Sequence, residues 1–168
     1  MIRNPMSSLS RILPLFLCLF FAAGGLPGQV DELNAKREKA GQLNSEGNYK
    51  EALELYQELA LHPENTSSHA RRDLQMTVSC LKRLNRIKEF DEWIERVVKV
   101  HADNWRMLTA AGQAYMDVQH YGFIIAGEFE RGGHRGGGQP ANSMERDRVR
   151  GLQIYQQAMP LVEANGSV

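Results

Sequence analysis

Between residues 47 and 65 the chain reads GNYKEALELYQELALHPEN, and its apolar positions recur with helical spacing. Tyr49, Ala52, Leu53, Tyr56, Leu59 and Ala60 fall at i, i+3, i+4 and i+7 intervals on one face of a helix, leaving Lys50, Glu51, Glu54 and Glu58 for water. Gly47 and Asn48 read as a turn before this helix and Pro63 as a stop after it. Upstream, Leu33, Ala40 and Leu43 keep helical spacing while Lys36 interrupts their face, which predicts a second amphipathic helix ending near Gly47. Two antiparallel helices joined by a tight turn follow. Ala40 and Ala52 let the backbones come close, and Tyr56 fills the space beside them. One such pair cannot cover its own apolar face, so the pattern requires neighbours.

The pattern returns in blurred form. Leu74, Val78, Leu81 and Leu84 make one helical face, Asn85 and Arg86 a turn, and Phe90, Ile94, Val97 and Val98 a second face with Trp93 at its edge. Phe90 takes the place of Ala52, 38 residues earlier, and its bulk should push the paired helices apart. A third unit opens at Asn104, a helix cap, and Trp105, Leu108, Ala111, Gly112, Tyr115 and Val118 follow at helical spacing. Its partner helix is displaced. RGLQIYQQAM at residues 150–159 matches EALELYQELA at residues 51–60, with Leu152 on Leu53, Tyr155 on Tyr56 and Gly151 in the close-packing place of Ala52. That puts the last helix at about residues 143–164.

Gly47, Tyr49, Ala52, Tyr56 and Pro63, with Ala40 at the small position of the preceding helix, resemble the signature of a tetratricopeptide repeat. Lys36 and Lys39 depart from that pattern, where the family has large apolar residues. The resemblance implies an all-α fold of about three stacked antiparallel helical hairpins, whose concave face binds proteins or peptides. Its units would be residues 29–66, 67–104 and 105–164, the last carrying a Gly-rich insertion at residues 121–143. Gly112, Gly151 and Tyr155 would be its repeat positions in the third unit.

Composition narrows the setting. Twenty Lys and Arg balance twenty Asp and Glu, and near-neutrality argues against a dedicated nucleic-acid binder. Residues 1–28 read as a cleaved export signal, with Arg3 and Arg11 ahead of an apolar run at residues 12–23 and small residues at 22–25. The expectation is an exported bacterial protein, periplasmic or extracellular, with no membrane contact after cleavage. The competing reading is a retained N-terminal anchor, since no charge occurs over residues 12–30. Removing the segment leaves 18 basic and 20 acidic residues and one cysteine, Cys80, expected to be an ordinary buried thiol. Asn65-Thr66-Ser67 is a glycosylation sequon, usable only where the host glycosylates.

Within the insertion YGFIIAGEFERGGHRGGGQPANS, residues 131–138, RGGHRGGG, are the one departure from the chain's own design. Residues 123–129 suit either a short helix or an extended segment, and the glycines beyond them disfavour regular structure over most of the remainder. Arg131, His134 and Arg135 among those glycines could cradle an anion or a partner's acidic residue. The plainer reading is a flexible loop with salt bridges among Arg131, Glu145 and Asp147. No Walker lysine, HExxH, CxxC or nucleophile motif occurs, and the five histidines lack ligand spacing. The expectation is therefore a non-enzymatic interaction module without cofactor or metal, the alternative a small anion- or ligand-binding domain on the Arg/His loop. GEFERGGHRGGG and MERDRVRGLQIYQQAMPL are also similar to a helical region preceding the alpha-2-macroglobulin-like proteins of some exported bacterial families. That second resemblance implies the leading module of a longer chain.

Overall fold

The computed structural model describes residues 27–65 and 69–166. The leader expected at residues 1–28 falls largely outside the described residues. Six helices dominate: α1 Pro27–Ser45, α2 Tyr49–Leu61, α3 Ala70–Arg83, α4 Phe90–Val100, α5 Trp105–Asp117 and α6 Met144–Gly166. A 3-10 turn at Ile87–Glu89 leads into α4. Strands β1 Tyr121–Ile125, β2 Glu128–Arg131 and β3 Gln139–Asn142 lie between α5 and α6. The fold is thus mostly helical but not all-α. Among the described residues no helix is long and apolar enough to cross a membrane.

α1 and α2 pack along each other, α2 packs on α3, α3 on α5, and α5 most extensively on α6. The turns that end α1 and α3 use the same backbone device. Gly47 and Asn85 take positive φ, and the following amides, of Asn48 and Arg86, donate back to Leu43 O and Leu81 O. A left-handed residue just past the last helical turn is what satisfies these carbonyls. On α2, Ala52, Leu53, Tyr56, Leu59 and Ala60 are buried and Lys50, Glu51, Glu54 and Glu58 exposed, as their spacing predicts. Ala40 is fully buried opposite them, and the intruding Lys36 is accommodated at the edge by a 2.9 Å bridge to Glu58.

Buried polar groups stitch the early helices. Arg37 on α1 bridges to Asp73 on α3 at 3.0 Å and also donates to Asn65 Oδ1. Asn65 is fully buried, and its Nδ2 donates to Leu59 O and Asp73 Oδ2. The sequon asparagine is therefore an internal cross-link rather than a surface attachment point. Cys80 is buried with its Sγ 3.6 Å from Asn44 Oδ1, and burial raises its thiol above the usual value against the pull of Arg83. His101 is buried too, its Nε2 2.8 Å from Ala60 O, which ties the end of α4 to α2.

Phe90 packs edge-on against Tyr115 on α5, with ring centroids 5.3 Å apart. α4 approaches α3 closely at few points. Trp93, expected at the edge of its face, is buried. Asn104 caps α5 by accepting from the amides of Arg106 and Met107. α6 spans the predicted stretch, and Gly151 meets Gly112 across the helix contact.

The insertion resolves the open choice in favour of extended chain. β1 pairs antiparallel with both β2 and β3, giving the order β2-β1-β3 with Phe123 opposite Glu130 on one side and Pro140 on the other. Ala126 and Gly127 both have positive φ, so they form a two-residue hairpin turn of the kind that matches strand twist. Gly122 lies under the Phe129 ring, and a Cβ there would meet that ring at 2.7 Å. The expectation that glycines keep most of the second half irregular holds, with the short strand at Gln139–Asn142 as the exception. The irregular run is residues 132–138.

Candidate functional site

Two places carry enough side-chain chemistry to consider. The first is built on Arg131, at the end of β2. Its side chain is wholly buried, and the guanidinium donates to Asp147 on α6 through both terminal nitrogens, at 2.8 and 3.0 Å. It also donates to Asp91 on α4 at 2.6 Å and to Gln119 O. Phe90 and Phe129 cover it, their ring centroids 5.2 and 5.5 Å from its central carbon. Asp147 additionally accepts from Ser143 Oγ, lies 2.8 Å from His120 Nδ1 and takes two bonds from Arg146. Burial alone would raise the Asp147 carboxyl, but the hydrogen bonds from Arg131, His120, Ser143 and Arg146 outweigh it and hold the group well below the carboxylate range.

This cluster is a clasp, not an anion cradle. The sequence grouped Arg131 with His134 and Arg135, and the structure separates them. Arg131 points inward to two carboxylates, so it has no charge to offer a ligand. His134 and Arg135 are exposed on the 132–138 loop, where the His134 ring leans on Phe123 at 6.1 Å between centroids. Of the salt bridges suggested in the plainer reading, Arg131 to Asp147 is present, while Glu145 is exposed on α6. Ser143, His120 and Asp147 do come together, but the Ser143 hydroxyl donates to Asp147 instead of the His120 ring. The serine–histidine contact needed for an activated nucleophile is missing. No group of His, Cys, Asp and Glu suited to a metal ion occurs among the described residues.

The second place is an open groove between α3 and α5. Its floor is apolar, formed by Leu74 and Val78 of α3 and Ala110, Ala114 and Val118 beyond them. Its rim is polar: Arg71, Gln75, Ser79 and Lys82 along α3 face Gln113 and Asp117 on α5. Gln113 donates to Asp117 at 2.9 Å and accepts from the Tyr155 hydroxyl of α6 at 3.1 Å, so the α5 rim is pre-positioned. Burial raises the Tyr155 phenol, with Arg71 across the groove pulling the other way. The space amounts to about 230 Å³, less than the roughly 300–1,000 Å³ of pockets that engulf small molecules. A trough of this kind suits side chains of an extended segment lying along it.

The sequence reading missed these rim residues. Val78 was counted with the core, yet it is only half-buried and floors the groove. The signal was present in the polar row of Arg71, Gln75 and Ser79 at four-residue intervals, which shares α3 with its apolar face.

Comparison of the chain with protein-family models, curated proteins and solved structures found no match.

Proposed function

We propose that this chain is a non-enzymatic helical-repeat module that takes an extended peptide segment of a partner protein in the α3–α5 groove. The observation that carries the reading is the groove itself, an apolar floor between two rows of polar side chains, the α5 row held by Gln113–Asp117 and Gln113–Tyr155 bonds. Such a floor excludes water from apolar side chains while the rims fix register, which is how most peptide grooves combine affinity with selectivity. The packing of α1 on α2 and of α5 on α6 supports hairpins of tetratricopeptide type at both ends of three units, residues 29–66, 67–104 and 105–164. The leader-like start supports a module exported in bacteria, and the further similarity to regions ahead of alpha-2-macroglobulin-like proteins supports one that works beside a larger chain.

The test is selection of binders from a random peptide library on the full chain, followed by affinity measurement with groove variants. Ala114→Trp, which fills the floor, and Arg71→Glu, which reverses a rim charge, are expected to weaken the selected peptides at least about tenfold. His134→Ala and Arg135→Ala are expected to leave affinity unchanged. Peptides that bind all four variants alike, or phosphate binding lost with His134 and Arg135, would turn the assignment toward the loop.

A further inference from the structure

Outside the two places described above, a recess opens between α1 and α3, lined by Arg37, Glu38 and Gly41 of α1, Arg72 and Asp73 of α3, and Tyr56 of α2. Its space amounts to about 450 Å³, inside the roughly 300–1,000 Å³ range of small-molecule sites. Tyr56 is only 5% exposed and its ring is part of the core. Its hydroxyl nonetheless has no hydrogen-bond partner among the described residues and lines the recess. Residue 41 leaves that oxygen uncovered on the α1 side, because a Cβ there would meet nothing but the Tyr56 hydroxyl, at 3.9 Å. Buried hydroxyls are almost always paired, so a phenol held open in a recess points to a group that comes to it.

The charges around the phenol divide into committed and free. Arg37 is committed three ways, to Asp73 at 3.0 Å, to Asn34 Oδ1 and to Asn65 Oδ1, and Asp73 is committed with it. That leaves Arg72 and Glu38, both exposed and neither hydrogen-bonded nor ion-paired among the described residues. Burial raises the Tyr56 phenol, which keeps it a donor at neutral pH, and the Arg72 charge is near enough to pull the other way. A phenol donor beside a guanidinium is suited to a carboxylate, which accepts charge-assisted bonds from both. Glu38 would repel a bare anion. One free carboxylate and one free guanidinium in the same recess match a molecule that carries both charges.

We infer that the α1–α3 recess binds a small zwitterion, an amino acid or a close relative, whose carboxylate accepts from Tyr56 Oη and Arg72 and whose ammonium faces Glu38. The recess shares no lining residue with the α3–α5 groove, so this site stands apart from peptide capture there.

Isothermal titration calorimetry of the full chain with each proteinogenic L-amino acid and with γ-aminobutyrate reads the site. At least one is expected to bind, and acetate and methylammonium, which carry one charge each, to bind at least about tenfold more weakly. Tyr56→Phe, which removes only the hydroxyl, and Arg72→Gln should each weaken the bound zwitterion at least about tenfold. Glu38→Gln should weaken it as well while leaving acetate no weaker, and Gly41→Leu should close the recess and abolish binding. Ala114→Trp, in the groove, should leave the zwitterion's affinity unchanged. No binding by any of these molecules, acetate bound as tightly as the best of them, or an affinity indifferent to Tyr56→Phe and Arg72→Gln overturns the inference. Circular dichroism of each variant confirms that the helices are retained.

Discussion

Gly112 and Gly151 press backbone to backbone where α5 meets α6: a Cβ built on Gly112 would lie 3.2 Å from Gly151 O, and one on Gly151 would lie 3.0 Å from Gly112 O. The helices owe their closeness to two absent side chains, and the Tyr155 ring packs into the same space.

In an ordinary helix, Gly→Ala gains about 0.5–1 kcal/mol. At Gly151 the new methyl also meets Met116 Cε at 2.8 Å, which can move, and the Gly112 carbonyl, which cannot. Gly151→Ala is therefore expected to destabilise, and Gly151→Val to cost about 1–3 kcal/mol. Gly41→Ala is the control, since its Cβ would meet only the Tyr56 hydroxyl, at 3.9 Å, and it should gain the normal helix increment. Urea denaturation of the three variants reads the order.

The Arg131–Asp147 pair should show strong coupling. Removing either partner leaves a buried charge with only a partly exposed counterion, Asp91 for Arg131 or Arg146 for Asp147, and Arg131→Met or Asp147→Leu alone should cost about 3–5 kcal/mol. The double variant should lose less than the sum of the two, by about 0.5–3 kcal/mol. Additive losses in a double-mutant cycle would show that the two side chains act independently.

Acid should lower stability in two separate pH windows. Burial lowers the His101 imidazole, only partly offset by its bond to Ala60 O, so the unfolded chain takes up a proton that the native state resists. The stability held by neutral His101 is complete above about pH 6.5 and declines as pH falls below it. Asp147 is likewise depressed, so its contribution is complete above about pH 4 and is lost as pH falls further. His101→Gln should flatten the upper limb of a stability–pH curve and leave the lower one.

The face of α2 makes a simpler forecast. Leu53→Ala and Tyr56→Ala should each cost about 2–5 kcal/mol, whereas exposed Glu54→Ala should cost less than about 0.5 kcal/mol. Equal midpoints in chemical denaturation for all three would mean that this helix is turned the other way.

What the amino-acid order revealed depended on how local the cause was. α2 was legible because its apolar face is unbroken, and α6 because Gly151 and Tyr155 repeat the spacing of Ala52 and Tyr56. The strands were not, since FIIAGEF alternates weakly and its turn uses Ala126, not the asparagine or aspartate that usually marks a left-handed position. The Arg131–Asp147 bridge was legible as one of the pairs expected near the loop, but the burial of Arg131 and its second partner, Asp91 40 residues before it, were not. Spacing cannot show a contact that only the closed hairpin creates. The groove was equally hidden, because its facing residues on α3 and α5 are not among the positions that mark the repeat.

The Arg131 clasp also separates what must stay from what can change. An insertion between partner helices ordinarily makes their reunion harder by lengthening the loop to be closed. Here the inserted hairpin fastens itself to α4, to α6 and to the segment leaving α5 through one side chain, while residues 132–138 extend beyond the knot. Foreign peptide grafted into that tip would ride on a fixed base, at a distance from the fold's own fastening.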